Sequence, residues 1–127
     1  MARILIAEDE EAIRAFVARA LIQDGHQVTT ANDGAEALDV LTREAGSFEL
    51  LLTDIRMPVM DGIALALAAA RDHPALPILL MTGYADQRER AHGLEAMIHD
   101  VITKPFSLGV MRAAVSQALS ARAQRPH

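Results

Sequence analysis

The residues of this sequence best suited to chemistry stand at the ends of short apolar segments: Glu8, Asp9, Asp54, Thr82 and Lys104. Three of them are carboxylates, which repel one another when they lie within a few ångströms. A divalent cation is the usual remedy for that repulsion, and hard oxygen ligands suit Mg²⁺. The residue types therefore indicate a metal site, provided that the fold brings these ends together.

A carboxylate beside a bound metal ion can attack phosphorus and become an aspartyl phosphate. The transferring phosphoryl group then needs positive charge and hydrogen-bond donors at its outer oxygens. Lys104 and the metal ion can supply the charge, while the Thr82 hydroxyl and loop amides can supply the hydrogen bonds. Phosphoryl transfer to a carboxylate is therefore a reaction in which each of these five polar residues has a chemical role.

The elements that must position these residues follow from two alternating patterns. Four apolar runs are continuous, as in strands buried on both faces, whereas "QVTTA" is more polar and is predicted to lie nearer a sheet edge. The five predicted strands are 3–7, 27–31, 48–53, 77–82 and 100–104.

Helical periods lie between the strands, and Asp33, Asp61 and Ser107 are suitable caps for three of them. The segment 86–97 is highly charged and contains Gly93, so it is the weakest of the predicted helices. The first and last helices carry predicted inward faces made of Ile13, Phe16, Val17, Ala20 and Leu21, and of Val110, Met111, Ala114, Val115, Ala118 and Leu119.

Strands that alternate with helices predict an α/β fold in which a parallel sheet is covered on both faces. Ligands of open parallel sheets bind beyond the carboxyl ends of the strands. The five polar residues should therefore project from one edge. We expect one domain over residues 1–121 and a short polar tail over 122–127.

Composition excludes several classes of protein. The 127 residues carry a formal net charge of −5 with no basic cluster, which argues against nucleic acid as a direct partner. Cysteine is absent, which excludes disulfides and thiolate metal sites and fits a reducing cytoplasm. No apolar run approaches the ~20 residues of a membrane helix, so no membrane partner is expected.

Four segments, "ILIAEDE", "LLLTDIRMPVMDG", "LLMTGYA" and "VITKPFSL", resemble the signatures of the response-regulator receiver domain of two-component signalling. They occur in the order and spacing of that family and cover nearly the whole chain. The resemblance implies a flavodoxin-like (βα)5 doubly wound sheet with strand order 2-1-3-4-5. It also implies a bacterial, cytoplasmic, stand-alone regulator.

The resemblance assigns four residues to a metal site. Asp54 is the implied phosphoacceptor and Asp9 the implied direct ligand of Mg²⁺, for which Mn²⁺ is an alternative ion. Glu8 is expected to help to bind the metal through water. The backbone carbonyl of Arg56 is expected to complete the ligands that the protein supplies.

Thr82 and Lys104 are the implied contacts of the phosphoryl group, and the bond before Pro105 is expected to be cis. In the family, the hydroxyl residue is drawn toward the phosphate and an aromatic residue, three before the lysine, swings inward behind it. Here that position is Val101, which has no ring. Tyr84 is the candidate for a substitute lever in the switch.

The implied donor is a histidine kinase or a phosphotransfer protein, and the implied effector is another protein whose binding depends on phosphorylation. We therefore expect no turnover of a separate substrate. Phosphorylation is expected to change the face formed by the fourth predicted helix (86–97), the fifth strand (100–104) and the fifth predicted helix, which follows Ser107.

Three other functions are compatible with parts of the sequence. A phosphatase of the haloacid dehalogenase kind needs Asp-x-Asp after the first strand and a cap insertion, but this chain has Glu8-Asp9-Glu10 and no insertion. A flavodoxin-like cofactor binder is disfavoured because an acidic loop stands where a flavin phosphate needs hydroxyls and amides. A receiver that acts by binding alone, without phosphate, remains an alternative.

Overall fold

The computed structural model of the protein describes residues 2–83, 89 and 91–123, except for the side chains of 122 and 123. Strands and helices alternate along most of this length. In chain order they are β1 (Arg3–Ala7), α1 (Glu11–Gln23), β2 (Gln27–Ala31), α2 (Gly34–Arg43), β3 (Leu50–Asp54), α3 (Gly62–Asp72), β4 (Ile78–Thr82), β5 (Asp100–Thr103) and α4 (Leu108–Ala123).

The five strands form one parallel sheet in the order β2-β1-β3-β4-β5, which confirms the predicted flavodoxin-like topology. Asp54 lies opposite Met81, and Thr82 lies opposite Thr103. Because the strands are parallel, the ends of β1, β3, β4 and β5 meet at one edge of the sheet.

Both faces of the sheet are covered by apolar side chains. On one face, Leu5, Leu51 and Leu80 belong to a core cluster with residues of α2 and α3. On the other face, Leu52 and Met81 belong to a second cluster with residues of α1 and α4. Every residue of β3 and β4 is buried, whereas the polar strand β2 lies at the edge, as predicted.

The helix starts follow the predicted caps. The side chains of Asp33, Asp61 and Ser107 each accept a hydrogen bond from the backbone N–H three residues further on, at 2.8, 2.9 and 3.1 Å respectively. These bonds satisfy N–H groups that have no partner within the helix. Among the described helices, none is both long and apolar enough to cross a membrane.

Two residues of the predicted inward faces point elsewhere. Phe16 of α1 is 48% exposed and Val110 of α4 is 56% exposed, so for these two the predicted orientation is wrong. The apolar stripe of each helix is wider than the arc that touches the sheet. Val17, Ala20 and Leu21 already fill the contact of α1.

Some predicted boundaries also change. The third strand runs over Leu50–Asp54 rather than 48–53, and α4 continues to Ala123, so it includes the first two residues of the predicted tail. Residues 124–127 lie outside the described residues, and the domain limit at 121 stays a prediction. Much of the predicted helix 86–97 also lies outside them; residues 89, 91 and 92 are helical and 93–97 form turns.

Candidate functional site

Three carboxyl groups meet at the carboxyl edge of the sheet. Glu8 and Asp9 follow β1, and Asp54 ends the neighbouring strand β3; one oxygen from each lies within 4.8 Å of the others. Glu8 is fully buried, Asp54 is buried, and Asp9 is exposed. A donor set of carboxylate oxygens that is open to solvent on one side fits Mg²⁺, which keeps several of its waters.

Lys104 reaches into this cluster from the end of β5. Its Nζ lies 2.8 Å from Glu8 Oε1 and 3.2 Å from Asp54 Oδ1. Its backbone N–H donates to the Thr82 carbonyl at 2.7 Å, and the bond between Lys104 and Pro105 is the cis isomer that the resemblance implied. One ammonium group therefore contacts carboxylates from two other strands.

Burial and charge shift the protonation of this group of residues. Burial raises the pKa of Glu8 to about 7, although the hydrogen bond from Lys104 acts in the opposite direction. Burial also raises the pKa of Asp54, again against the influence of Lys104. Burial alone would lower the pKa of Lys104, but its hydrogen bond to Glu8 and the charge of Asp54 outweigh it and leave that pKa raised. A further positive charge would stabilise the ionised acids.

The loop after Asp54 is held close to the strand by a glycine. The Gly62 N–H donates to the Ile55 carbonyl at 2.8 Å, and a Cβ at position 62 would overlap the Asp54 carbonyl oxygen. A Cβ at Gly34 would likewise overlap the carbonyl oxygen of Met60 in the same loop. Neither close approach was predicted from the sequence; the Asp61-Gly62 pair at a helix start was the available signal for one of them.

The other predicted site residues are placed as follows. Thr82 ends β4 and is fully buried, and Arg56 lines an open pocket of about 460 Å³ together with Asp54 and Lys104. Val101 is half-buried and packs against the core cluster beneath α2 and α3. Tyr84, the predicted substitute lever of the switch, lies outside the described residues.

The family model of the response regulator receiver domain matches residues 4–116. The chain belongs to this family. The matched residues contain the whole observed sheet except Arg3, and they carry the acid cluster. The receiver domain is a signalling domain of two-component systems, and the oxygens of its acidic cluster lie close enough together to hold a metal ion.

Curated relatives differ in how much of their length this receiver domain matches. The response regulator receiver protein CpdR of Brucella abortus is 43% identical over 108 residues, which are 85% of this chain and 88% of that protein. The DNA-binding transcriptional regulator NtrC of Klebsiella pneumoniae is 37% identical over 115 residues, 91% of this chain. The chain spans 24% of the length of that NtrC.

Solved structures share the fold of this receiver domain. A CheY-like response regulator receiver domain protein from Methanospirillum hungatei is 28% identical, with a TM-score of 0.87 and 98% of each chain covered. The response regulator protein TrrA of Thermotoga maritima, solved in complex with Mg(2+)-BeF, is 27% identical with a TM-score of 0.81. The match to TrrA covers 93% of this chain and 99% of that one.

Proposed function

We propose that Asp54 accepts a phosphoryl group in the presence of Mg²⁺, and that this modification switches the binding of a protein partner. The observation that carries the proposal is the contact of one ammonium group, Lys104 Nζ, with two members of a three-carboxylate cluster at a solvent-open edge. A structural ion pair needs no third acid, whereas a phosphoacceptor site needs all of these groups.

The bound ion is proposed to be Mg²⁺, with Mn²⁺ as an alternative. Asp9, Asp54 and the backbone carbonyl of Arg56 would hold it, and Glu8 would reach it through water. When bound, the ion supplies positive charge that neutralises the acids and the transferring oxygens. The TrrA complex with Mg(2+)-BeF supports this proposal by similarity.

In the proposed step, a carboxylate oxygen of Asp54 attacks phosphorus and forms an O–P bond. The bond between phosphorus and the leaving group breaks, and its electron pair goes to that group, which then takes a proton. Asp54 has to be ionised for the attack, and Lys104 favours the ionised form. Lys104 Nζ can then follow the negative charge to a phosphoryl oxygen, while the Thr82 hydroxyl donates to another.

The proposed donor is a phosphohistidine on a histidine kinase or phosphotransfer protein, as expected for two-component signalling. The proposed compartment is the cytoplasm of a bacterium, which the absence of cysteine supports. Outside its own phosphorylation and dephosphorylation, no separate substrate is proposed. The residues of the proposed reaction are Asp54, Thr82 and Lys104.

The chemistry is tested by intact mass after incubation with acetyl phosphate and Mg²⁺. We expect the wild-type protein to gain one phosphoryl group, and Asp54→Asn or added EDTA to prevent the gain. Asp39→Asn, which changes an exposed acid on α2, is the matched control and should gain the group normally. A gain that persists in Asp54→Asn would contradict the assignment.

The proposed switch concerns the face that contains β5 and α4, the last predicted helix. The predicted helix 86–97, which belongs to the same proposed face, lies partly outside the described residues. Phosphorylation adds roughly −1.5 to −2 charges next to Thr82, whose strand pairs with β5. Val101, in β5, packs against the core without a ring, so we propose that Thr82 starts the change and that Tyr84 replaces the usual aromatic lever.

NMR with beryllofluoride, a stand-in for the phosphoryl group, tests the switch. We expect shift changes to extend from Thr82 into β5 and α4. Changes confined to the neighbours of Asp54 would contradict the switch and would favour the alternative function, a receiver that acts by binding alone.

A further inference from the structure

The loop between β1 and α1 is anchored through every polar atom of Glu8. Its N–H donates to the Ala31 carbonyl at 3.1 Å, and its Oε2 accepts from the Glu10 N–H at 3.1 Å. Its Oε1 accepts from Lys104 at 2.8 Å. Its carbonyl oxygen accepts from Nη1 of Arg14, a residue of α1, at 2.9 Å.

The guanidinium of Arg14 contacts the Glu8 carbonyl of this loop. The backbone N–H of Arg14 also donates to the Glu10 carbonyl at 2.9 Å, which is the first hydrogen bond of the helix and does not depend on the arginine side chain. Asp9 lies between these two carbonyls and is the exposed member of the carboxylate cluster. The backbone on both sides of Asp9 is therefore tied to one residue of the helix.

The charge of Arg14 does not explain its place beside a cation site. A guanidinium near a bound divalent cation repels that ion, so charge alone would weaken the binding of Mg²⁺. The hydrogen bond to the Glu8 carbonyl has the opposite effect, because it reduces the freedom of the loop that carries an exposed ligand. Removal of the side chain should therefore strengthen the binding of Mg²⁺ if charge dominates, and weaken it if the hydrogen bond dominates.

We propose that Arg14 is a positioning residue, which orients Asp9 for the metal ion by holding the Glu8 carbonyl. The proposal rests on the proposed function, since it requires the carboxylate cluster to bind Mg²⁺. Arg14 itself is proposed to contact neither the metal ion nor the phosphoryl group. It belongs to the outer shell of the site, where partners that orient a ligand typically change metal affinity about 10–100-fold.

The test is a calorimetric titration of the whole chain with Mg²⁺ alone. Arg14→Met keeps much of the apolar stem and removes the donor; we expect the dissociation constant to rise about tenfold, the lower end of that range. Arg14→Lys retains a donor and should recover part of the loss. Arg19→Met removes an exposed arginine of the same helix and should stay within about twofold of wild type, because it holds no carbonyl of this loop.

The initial rate of phosphorylation by acetyl phosphate provides a second readout. Its dependence on Mg²⁺ concentration should shift in Arg14→Met, while the rate at saturating Mg²⁺ stays close to wild type. Far-UV circular dichroism and a thermal melt establish that each variant is folded. If Arg14→Met does not fold, Arg14→Ala replaces it, with Arg19→Ala as its control and the same expected weakening.

A dissociation constant that is unchanged or smaller in a folded Arg14→Met or Arg14→Ala variant overturns the proposal. That result is distinct from a failure of the proposed function, in which the wild-type protein itself binds no Mg²⁺ or Asp9→Asn binds it as tightly as wild type.

Discussion

Glu8 is a fully buried acid whose two oxygens both accept hydrogen bonds, from Lys104 and from the Glu10 N–H. These bonds stabilise the ionised form, yet burial outweighs them and raises the pKa of Glu8 to about 7. The folded protein therefore holds a proton at Glu8 at pH values where an unfolded chain has already released it. At the scale of single residues, this makes the metal-free site sensitive to pH.

We expect the stability of the metal-free protein to fall as pH rises through this window. Below about pH 4.5, Glu8 is protonated in both states; between 4.5 and about 7, the unfolded state releases its proton first and is favoured. The raised pKa of Asp54 acts in the same direction. Glu8→Gln should therefore flatten the fall in melting temperature measured in EDTA from pH 4.5 to 7.5.

The control for this series is Glu11→Gln, which changes an exposed acid at the start of α1, three residues after Glu8. Parallel melting curves for wild type and Glu8→Gln across that range would show that Glu8 does not titrate as inferred.

Val59 is a second unusual residue. It is 85% exposed and has a φ of 69°, in the left-handed region that a β-branched residue rarely adopts. Such a conformation destabilises the folded state by roughly 1–2 kcal/mol. Glycine removes this strain, but it also increases the conformational entropy of the unfolded chain, which offsets part of the gain. We expect Val59→Gly to raise the free energy of unfolding by about 0.5–1 kcal/mol in urea.

Gly25 is the converse control for Val59. Its φ is 92°, and a Cβ there would meet nothing within 4 Å, so Gly25→Ala adds strain without a clash. It should lower the free energy of unfolding by about 1 kcal/mol. If Val59→Gly is destabilising, the strain inferred at Val59 is wrong.

At the scale of the elements, capping residues predicted the helix starts better than hydrophobic periodicity predicted the buried faces of the helices. Asp33, Asp61 and Ser107 cap helices as expected, because a cap depends on neighbours three residues away. Phe16 and Val110 follow the apolar period but stay exposed, because periodicity gives the direction of a face and not its width.

The strand ends could be predicted to within a residue or two because their signal, like that of the caps, is local in the sequence. A continuous apolar run stops where the polar site begins. The contacts across the site were not. The pairing of Lys104 with Glu8, the contact of Arg14 with a backbone carbonyl and the overlap that excludes a side chain at Gly62 all depend on distances between elements. A single sequence contains no direct record of such distances.

Gly62 gives a prediction at this scale. A Cβ there would overlap the backbone of Asp54 and Ile55, which cannot move without displacing β3. We expect Gly62→Ala to lower the free energy of unfolding by about 2–3 kcal/mol, the typical cost of overpacking.

Gly109, within α4, is the control for Gly62. Its added Cβ would come within 3.8 Å of Ser107 Oγ, an ordinary contact. Gly109→Ala should raise the free energy of unfolding by about 0.5–1 kcal/mol, because alanine is the better helix former. Equal effects of the two substitutions would contradict the close approach at Gly62.

At the scale of the whole molecule, the candidate site depends on the complete sheet. β1, β3, β4 and β5 each end in one of its residues or lead directly into one, and these four strands lie side by side in the sheet although β2 separates β1 from β3 in the chain. A ligand of this site therefore stabilises contacts throughout the fold, since it binds the native arrangement and not the unfolded chain.

We expect Mg²⁺ to raise the melting temperature. At 100 times the dissociation constant, the gain is about 2.7 kcal/mol, which corresponds to roughly 10 °C for a domain of this size. EDTA should reverse the shift, and Asp9→Asn should abolish most of it. Glu11→Gln should respond like wild type; an equal shift in Asp9→Asn would show that the ion binds elsewhere.

The ion pair between Glu8 and Lys104 joins residues 96 positions apart. During synthesis on the ribosome, all three acids emerge long before the ammonium group that contacts two of them. A nascent chain that ends before Lys104 lacks the positive charge that contacts Glu8 and Asp54. If the proposed function is correct, such a chain is a poor acceptor of phosphoryl groups, so phosphorylation has to follow the synthesis of β5.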